Sequence, residues 1–505
     1  MTSQRTILGC ALVAAAATAT LLTSPAATAA PAQAPVSVPG ASAAALPGDF
    51  DGDGHRDLVV AAPLAQVGQA ARAGGIAVLY GSPNGPVTAR KQTFHQNAPG
   101  IPGEAEQDDR FGESLTVGDF DRDGYSDLAV GAPGETGPVG GPEGVVTVIW
   151  GGTGGLADAA VAIAGDHPGA ESGRTLVNGD FDGDGDVDLA FNEEDSTVRV
   201  LSGPLLRDGT PAATYRRWEL DHRITDLASG DLNGDGRDDL VAARTPTRPE
   251  EGITKRHTVH LAGGPQGLSH DFVHVRTADD VQPQPFVEAD EVAVGDVNGD
   301  GYDDIVAARP REGTGIPDPE PPAALGGGVT YVPGSATGPR GALAVPLHQD
   351  TPGVPGAAEA GDRFGSGIAV ADLDGDGYAD LAAGVPGEDF AGVAGADHGA
   401  VAILRGGAGG PTGAGAVTLH QNTPGVPGAA EAGDVFGQAL QPVDTDSDGK
   451  PELYAGAPGE NTNAGAVWAF DGTAAGPVAP GSVSFGPGAV DIAPGPGEFG
   501  AAFRD

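Results

Sequence analysis

The sequence is poor in cysteine, basic residues and aromatics, and these scarcities exclude several classes of protein. Its one cysteine, Cys10, lies near the N-terminus, so the rest of the chain can form neither a disulfide nor a cysteine-ligated metal site. Only 26 lysines and arginines stand against 70 acids, which gives a formal net charge of -44. This charge argues against nucleic acid or an anionic membrane as a partner. No apolar run after the N-terminal segment approaches the length of a membrane helix, so we expect no membrane insertion.

Residues 1–30 have the pattern of a secretory signal peptide. Arg5 precedes an apolar run from Ile7 to Leu22, and small residues follow. We expect cleavage near Ala29 or Ala30, a short linker over residues 31–45, and a secreted, extracellular protein. The cysteine lies early in the apolar run rather than after it, so lipid attachment is the weaker interpretation.

The most informative segment is a nine-residue loop that begins at Asp119. Asp119, Asp121, Asp123 and Asp127 occupy positions 1, 3, 5 and 9, and Tyr125 at position 7 can offer its backbone carbonyl. Calcium takes six to eight oxygen ligands of these kinds. An EF-hand has its last acid at position 12 and is flanked by helices, whereas here a short strand-like run follows position 9. The segment is therefore predicted to be a calcium-binding loop between two strands.

The same loop occurs seven times, with starting points 51 to 76 residues apart. Two copies have Asn at position 3, and the last has Glu at position 9. The predicted cofactor is Ca²⁺. The predicted metal ligands, with position 7 acting through its backbone carbonyl, are Asp49, Asp51, Asp53, His55 and Asp57; Asp119, Asp121, Asp123, Tyr125 and Asp127; Asp180, Asp182, Asp184, Asp186 and Asp188; Asp231, Asn233, Asp235, Arg237 and Asp239; Asp296, Asn298, Asp300, Tyr302 and Asp304; Asp372, Asp374, Asp376, Tyr378 and Asp380; and Asp444, Asp446, Asp448, Lys450 and Glu452.

The segments around each loop have the alternation and composition of β-strands. In the second unit, residues 111–117 alternate apolar and polar side chains, Leu128-Ala129-Val130 follows the loop, and a valine-rich run covers residues 144–149. A fourth, less regular strand is represented in the first unit by residues 88–94. Four short strands repeated seven times predict an all-β protein, a seven-bladed β-propeller over residues 46–505.

Two short motifs flank the acidic loop. Phe111-Gly112 and Gly131-Ala132-Pro133 resemble the FG-GAP repeat of integrin α-subunit propellers and their secreted bacterial relatives. Units six and seven carry the same two motifs, whereas units three, four and five lack the Phe-Gly pair. The resemblance covers nearly the whole chain after the signal peptide. It implies a seven-bladed propeller with calcium held in loops on one face.

The C-terminal end supplies a strand that the first unit lacks. Asp49 has no Phe-Gly pair ahead of it, whereas Phe499-Gly500 begins a strand with no acidic loop behind it. We expect this C-terminal strand to complete the first blade and close the ring, because closure removes exposed edge strands.

The leading functional hypothesis is a non-enzymatic binding or adhesion module for an extracellular protein or glycan. The alternative is an extracellular carbohydrate-active enzyme, such as a polysaccharide lyase on a propeller scaffold. His95, His348 and His420 recur in one frame, which favours a turn or packing role over catalysis. The basic, aromatic region 210–280, with Tyr215 to Trp218 and Lys255 to His257, is either a ligand surface or a solvated outer strand. The interleaved acids favour the outer strand.

Overall fold

A computed structural model describes residues 45–86, 88–137, 140–208, 216–245, 256–277, 286–311, 325–493 and 498–503. The predicted signal peptide, nearly all of the linker, and Tyr215 and Lys255 of the basic region lie outside these ranges. In the part of the chain that is described, no helix is long and apolar enough to cross a membrane.

The described chain forms 27 strands in seven antiparallel sheets, which are the seven blades of a β-propeller. Strands are numbered in chain order, blade by blade: β1 Leu58–Ala62, β2 Gly75–Leu79, β3 Lys91–Phe94; β4 Ser114–Gly118, β5 Asp127–Ala132, β6 Val145–Trp150, β7 Ala157–Ala164; β8 Leu176–Gly179, β9 Asp188–Glu193, β10 Thr197–Leu201, β11 Arg216–Glu219; β12 Arg223–Gly230, β13 Asp239–Thr245, β14 His257–Leu261, β15 Val273–His274; β16 Glu291–Gly295, β17 Asp304–Arg309, β18 Gly328–Val332, β19 Val345–Leu347; β20 Ile368–Ala371, β21 Asp380–Val385, β22 Ala400–Arg405, β23 Thr412–Leu419; β24 Ala439–Val443, β25 Glu452–Ala457, β26 Ala466–Phe470, β27 Val483–Phe485. Within the described ranges, helical structure is limited to single turns at Gly341–Leu343, Glu460–Asn463 and Pro487–Val490.

Each blade is an antiparallel meander whose second strand is almost entirely buried. In the second blade, β4 pairs with β5 from Ser114 opposite Gly131 to Gly118 opposite Asp127. Every residue of β5 is buried, as expected for a strand covered on both faces by neighbouring blades. Blades three, four and five, which lack the Phe-Gly pair, also form four-stranded sheets.

The core is divided among the seven seams between adjacent blades. The buried apolar residues form seven clusters, and each cluster draws from two neighbouring blades. In the cluster between the first two blades, Phe50 packs with Phe111 and Val130. Apolar burial of this kind is the main source of stability, so the ring is stabilised seam by seam.

The FG part of the motif fixes the approach of one blade to the next. Gly74, just before β2, forms a parallel bridge with Phe111 of the following blade. A Cβ on Gly74 would lie 2.2 Å from the Phe111 carbonyl oxygen, so glycine is required at this contact. Equivalent bridges join Gly327 to Phe364 and Gly399 to Phe436.

The predicted ring closure is confirmed. The first sheet has three named strands, and the C-terminal segment adds to its inner edge through a bridge between Ala61 and Ala502. The amide of Gly500 also donates to the carbonyl of Ala61 at 3.1 Å. Phe499 and Phe503 pack in the seam between the last and first blades. The C-terminus therefore joins the two ends of the ring.

Candidate metal centres

Six of the seven acidic loops connect the first strand of a blade to its second, and the first loop leads directly into β1, so all seven lie at the same end of the strands. In the first loop, Asp49 at position 1 accepts backbone N–H bonds from Gly52 at 2.7 Å, Asp53 at 3.1 Å and Gly54 at 2.9 Å. The corresponding contacts recur at Asp372, which binds three amides, and at Asp444. The first acid thus shapes the turn through its own carboxylate.

The acid at position 5 is held by the amide of position 7. Tyr125 N–H donates to Asp123 Oδ1 at 3.0 Å, and Lys450 N–H donates to Asp448 Oδ1 at 2.8 Å. This bond is present in all seven loops. The two positions that were predicted to supply a carboxylate and a carbonyl are therefore adjacent in space.

The acid at position 9 is buried and lies at or just before the start of the strand that follows the loop. Asp127 accepts the amide of Phe120, at position 2, at 2.9 Å and that of Gly151, just after β6, at 2.8 Å. Burial raises the pKa of Asp127 to about 8, and neighbouring acids add to the effect of burial. Burial also raises the pKa of Asp57 and Glu452 to about 7. Asp57, which accepts the amide of Gly81 at 2.9 Å, and Asp127 thus tie their loops to the end of the third strand of the blade.

Five loops bring three carboxylates together, with ligand atoms within 4.8 Å of one another. The sets are Asp49, Asp51 and Asp53; Asp119, Asp121 and Asp127; Asp180, Asp182 and Asp184; Asp372, Asp374 and Asp376; and Asp444, Asp446 and Glu452. In the fourth and fifth loops the amide of Asn233 or Asn298 contacts the acid at position 9, Asp239 or Asp304, at 3.2–3.3 Å. Crowded carboxylate oxygens fit a hard cation, which would offset their mutual repulsion.

Sequence reasoning missed three arginines that lie on these loops. Arg90 pairs with Asp51 and Asp53, Arg207 pairs with Asp121 and Asp123, and Arg405 pairs with Asp374 and Asp380. Each arginine lies beyond the third strand of its own blade or at the end of that strand. In the sequence these arginines stand out only as basic residues in an acidic chain. Their acidic partners cannot be identified without the fold.

Neighbouring loops are also hydrogen-bonded to one another. The amide of Ser126, at position 8 of the second loop, donates to the carbonyl of Asp49 at 3.1 Å. Asp303 of the fifth loop and Ala379 of the sixth make the same bond to position 1 of the loop before. Several neighbouring candidate metal centres are thus linked directly on one face of the ring.

The basic, aromatic region has the character of an outer strand. Arg216 and Arg217 lie exposed on β11, and Arg217 pairs with Glu193 and Glu194. Trp218 is buried, and its indole N–H donates to the carbonyl of Ser269 at 2.9 Å. This tryptophan belongs to the seam between blades three and four rather than to an exposed ligand surface.

The three recurring histidines follow the outermost strands of their blades. The amides of His348 and His420 donate to the hydroxyls of Thr351 and Thr423 at 2.9 and 3.0 Å. The ring of His420 packs 4.3 Å from that of Phe390. Their contacts are those of turn and packing residues.

Comparison with known proteins identifies the repeats. The model of the FG-GAP repeat matches residues 41–79, 111–149, 290–325, 364–404 and 436–470, and that of the FG-GAP-like repeat matches residues 180–242. Together these segments make up half of the chain.

The relatives include both integrin α chains and an enzyme. Integrin alpha-PS2 of Drosophila melanogaster is 30% identical over 238 residues, which cover 43% of this chain and 15% of the integrin. Phosphatidylinositol-glycan-specific phospholipase D of Rattus norvegicus is 31% identical over 192 residues, 37% of this chain and 22% of the phospholipase. Integrin alpha-IIb of Mus musculus is 36% identical over 105 residues, 20% of this chain and 9% of the integrin. The chain therefore spans less than a quarter of each relative, and it belongs to the FG-GAP repeat family.

Proposed function

We propose that this chain is a secreted, calcium-binding β-propeller that acts as a non-enzymatic binding module for an extracellular protein or glycan. The observation that supports calcium most directly is the gathering of three carboxylates within 4.8 Å in five of the seven loops. All of these donors are oxygen atoms, which calcium prefers. The predicted signal sequence supports secretion.

In each loop the side chains at positions 1, 3, 5 and 9 would hold the ion, together with the backbone carbonyl of position 7. The ion would neutralise carboxylates that otherwise repel one another. Because position 9 also binds the amide after the third strand, as Asp127 does with Gly151 at 2.8 Å, a bound ion would stiffen the whole end of the blade. Calcium in this proposal is structural, and it stabilises the folded state by mass action.

The repeated blades and their surface loops support a binding role. The seven units supply a rigid ring and surface loops, and a fold of this kind can present many different ligand surfaces. The phospholipase relative is an enzyme, but the match covers 22% of its length, so its activity is not carried over to this chain. Integrin-like use would imply a protein ligand, and lectin-like use a glycan.

Thermal unfolding of the mature protein tests the calcium proposal. We expect a large rise in Tm with millimolar calcium relative to excess chelator, and several calcium ions per chain in metal analysis after dialysis. Coincident unfolding curves and no retained metal would overturn the calcium proposal.

A glycan array and a screen of extracellular proteins would separate the two ligand classes. Release of unsaturated sugars from acidic polysaccharides would instead support the alternative hypothesis, a polysaccharide lyase.

A further inference from the structure

A second group of acidic and amide side chains recurs three times, at the end of the strands opposite the acidic loops. Each copy contains a Gln, an Asp thirteen residues later and a Glu twenty-six residues after the Asp. The copies are Gln96, Asp109 and Glu135; Gln349, Asp362 and Glu388; and Gln421, Asp434 and Glu460. We name them the seam sites, because the Gln follows the last strand of one blade and the two acids flank the first two strands of the next.

The glutamine of each seam site crosses the seam to its glutamate. Gln349 Nε2 donates to Glu388 Oε2 at 2.6 Å, and Gln421 Nε2 donates to Glu460 Oε2 at 2.7 Å. Gln96 makes the same contact with Glu135. The constellation is therefore built in the same way at three different seams.

The aspartate is fixed by the backbone just before the Phe-Gly pair. Asp362 Oδ2 accepts the amide of Glu359 at 2.6 Å, and Asp434 Oδ2 accepts that of Glu431 at 2.7 Å. In the third copy, Glu460 also lies within hydrogen-bonding range of the Asp434 carboxyl. One carboxylate oxygen of each aspartate thus accepts a backbone amide, and the carboxyl group lies near the glutamate.

In all three copies, buried side-chain oxygens lack a hydrogen-bond partner within the described part of the chain. Gln96, Gln349 and Gln421 are 2%, 4% and 1% exposed, and their Oε1 atoms have no hydrogen-bond partner among the described residues. Asp109 is 0% exposed, and its Oδ1 is likewise without a partner in the described part of the chain. Leaving a buried acceptor without a hydrogen-bond partner is energetically unfavourable. Repetition of this cost at equivalent positions indicates that something binds there.

The electrostatics of the seam sites favour a positively charged occupant. Burial raises the pKa of Glu135 to about 7 and that of Asp109 to about 6, and each carboxyl is also influenced by a nearby acid. In the second copy, burial raises the pKa of Asp362 to about 6, with Glu388 as a contributing neighbour. Two carboxylates and a carboxamide oxygen are the donor types that a hard cation takes.

We propose that each seam site binds a hard divalent cation, such as Ca²⁺, through the carboxylates of its Asp and Glu and the carboxamide oxygen of its Gln. These three sites share no residue with the seven acidic loops and lie on the other face of the ring. Water completes the coordination, since three side chains supply fewer oxygens than the cation requires. The ion would tie the last strand of one blade to the start of the next.

Metal stoichiometry, with calcium alone as the probe, tests this proposal. The variant Glu135→Gln/Glu388→Gln/Glu460→Gln keeps the shape of each side chain and removes its charge, and we expect it to bind three fewer calcium ions per chain than the parent. The single variant Glu135→Gln should bind one fewer ion, which provides a milder test if the triple variant folds poorly. Glu219→Gln, on an outermost strand, is the matched control and should leave the count unchanged.

The outcome separates the seam sites from the acidic loops. An unchanged ion count in a folded Glu135→Gln variant would overturn the proposal and indicate that the carboxyl pairs hold protons instead. Failure of the loop proposal would be recognised separately, because Asp121→Asn would then leave the ion count unchanged whatever the seam variants do.

Discussion

The ring of Tyr125 lies against Gly52 of the preceding acidic loop, so closely that a Cβ on Gly52 would be 2.6 Å from Tyr125 Cε1. Tyr302 and Tyr378 make the same contact with the fourth residue of the loop before each of them. Position 7 therefore has two roles in these units. Its backbone faces its own loop, and its side chain packs on the neighbouring one.

Substitution of Gly52 tests how much this contact contributes to stability. Gly52 has a φ of +72°, so Gly52→Ala should cost about 1–2 kcal/mol in backbone strain and more from the clash with Tyr125. Gly54→Ala is the matched control, because Gly54 has a φ of +89° but a Cβ there would meet nothing within 4 Å. Chemical denaturation with calcium present measures both variants. Equal losses of stability would show that Tyr125 moves aside without cost.

Arg207 and a bound cation would compete for the same carboxylates. Arg207→Gln removes the guanidinium that pairs with Asp121 and Asp123, so we expect calcium affinity at this loop to rise about two- to fivefold, the range expected for an exposed ion pair. The Arg207 guanidinium lies 5.7 Å from the ring of Trp150, so terbium luminescence sensitised by Trp150 can report on the loop.

Two further variants make the terbium experiment specific. Trp150→Phe should remove the signal of this loop, and Arg217→Gln, whose acidic partners lie outside the loops, should leave the affinity unchanged. Weaker terbium binding in Arg207→Gln would contradict the competition and show that the arginine positions the carboxylates.

His274 should make the protein less stable in acid. Burial, with Arg244, Arg276 and His222 nearby, lowers the pKa of His274 to about 4 in the folded state. The unfolded chain binds a proton below its ordinary pKa near 6.5, so folding stability falls as the pH drops from about 6.5 to 4. His274→Phe should lose less stability than the parent between pH 7 and pH 5, by about 1 kcal/mol after allowance for partial exposure.

Urea unfolding at both pH values measures this difference. The exposed His270 provides a control, since His270→Phe should follow the parent at both values. If His274→Phe and the parent lost stability in parallel, His274 would not contribute to the acid sensitivity.

Removal of residues 498–503 and everything after them should open the ring. The deletion removes the bridge between Ala502 and Ala61 and two buried aromatic side chains, Phe499 and Phe503. Phe499→Ala alone should cost about 3–5 kcal/mol, as expected for a fully buried phenylalanine. Val483→Ala, at an exposed position of β27, should cost much less. A deletion variant with the parent's Tm would refute closure by this segment.

The sequence by itself determined the number of units, the acidic loops, the strand order within a blade and the closing role of the C-terminus. These features are local or periodic: Asp119, Asp121 and Asp123 lie two residues apart, and each loop is followed by its own buried strand. The strand that the first unit lacks and the extra strand at the C-terminal end can also be recognised once the repeat is known.

Only the tertiary structure decided which side chains meet across the seams. Tyr125 on Gly52, Arg207 on Asp121 and Gln96 on Glu135 join residues 73, 86 and 39 positions apart, respectively. Their proximity depends on the distance and twist between blades, which are set by apolar packing in the seven seam clusters. Composition could therefore show that acids abound, but only the ring shows that three carboxyl pairs lie beside glutamines whose buried oxygens have no partner among the residues that the structure describes.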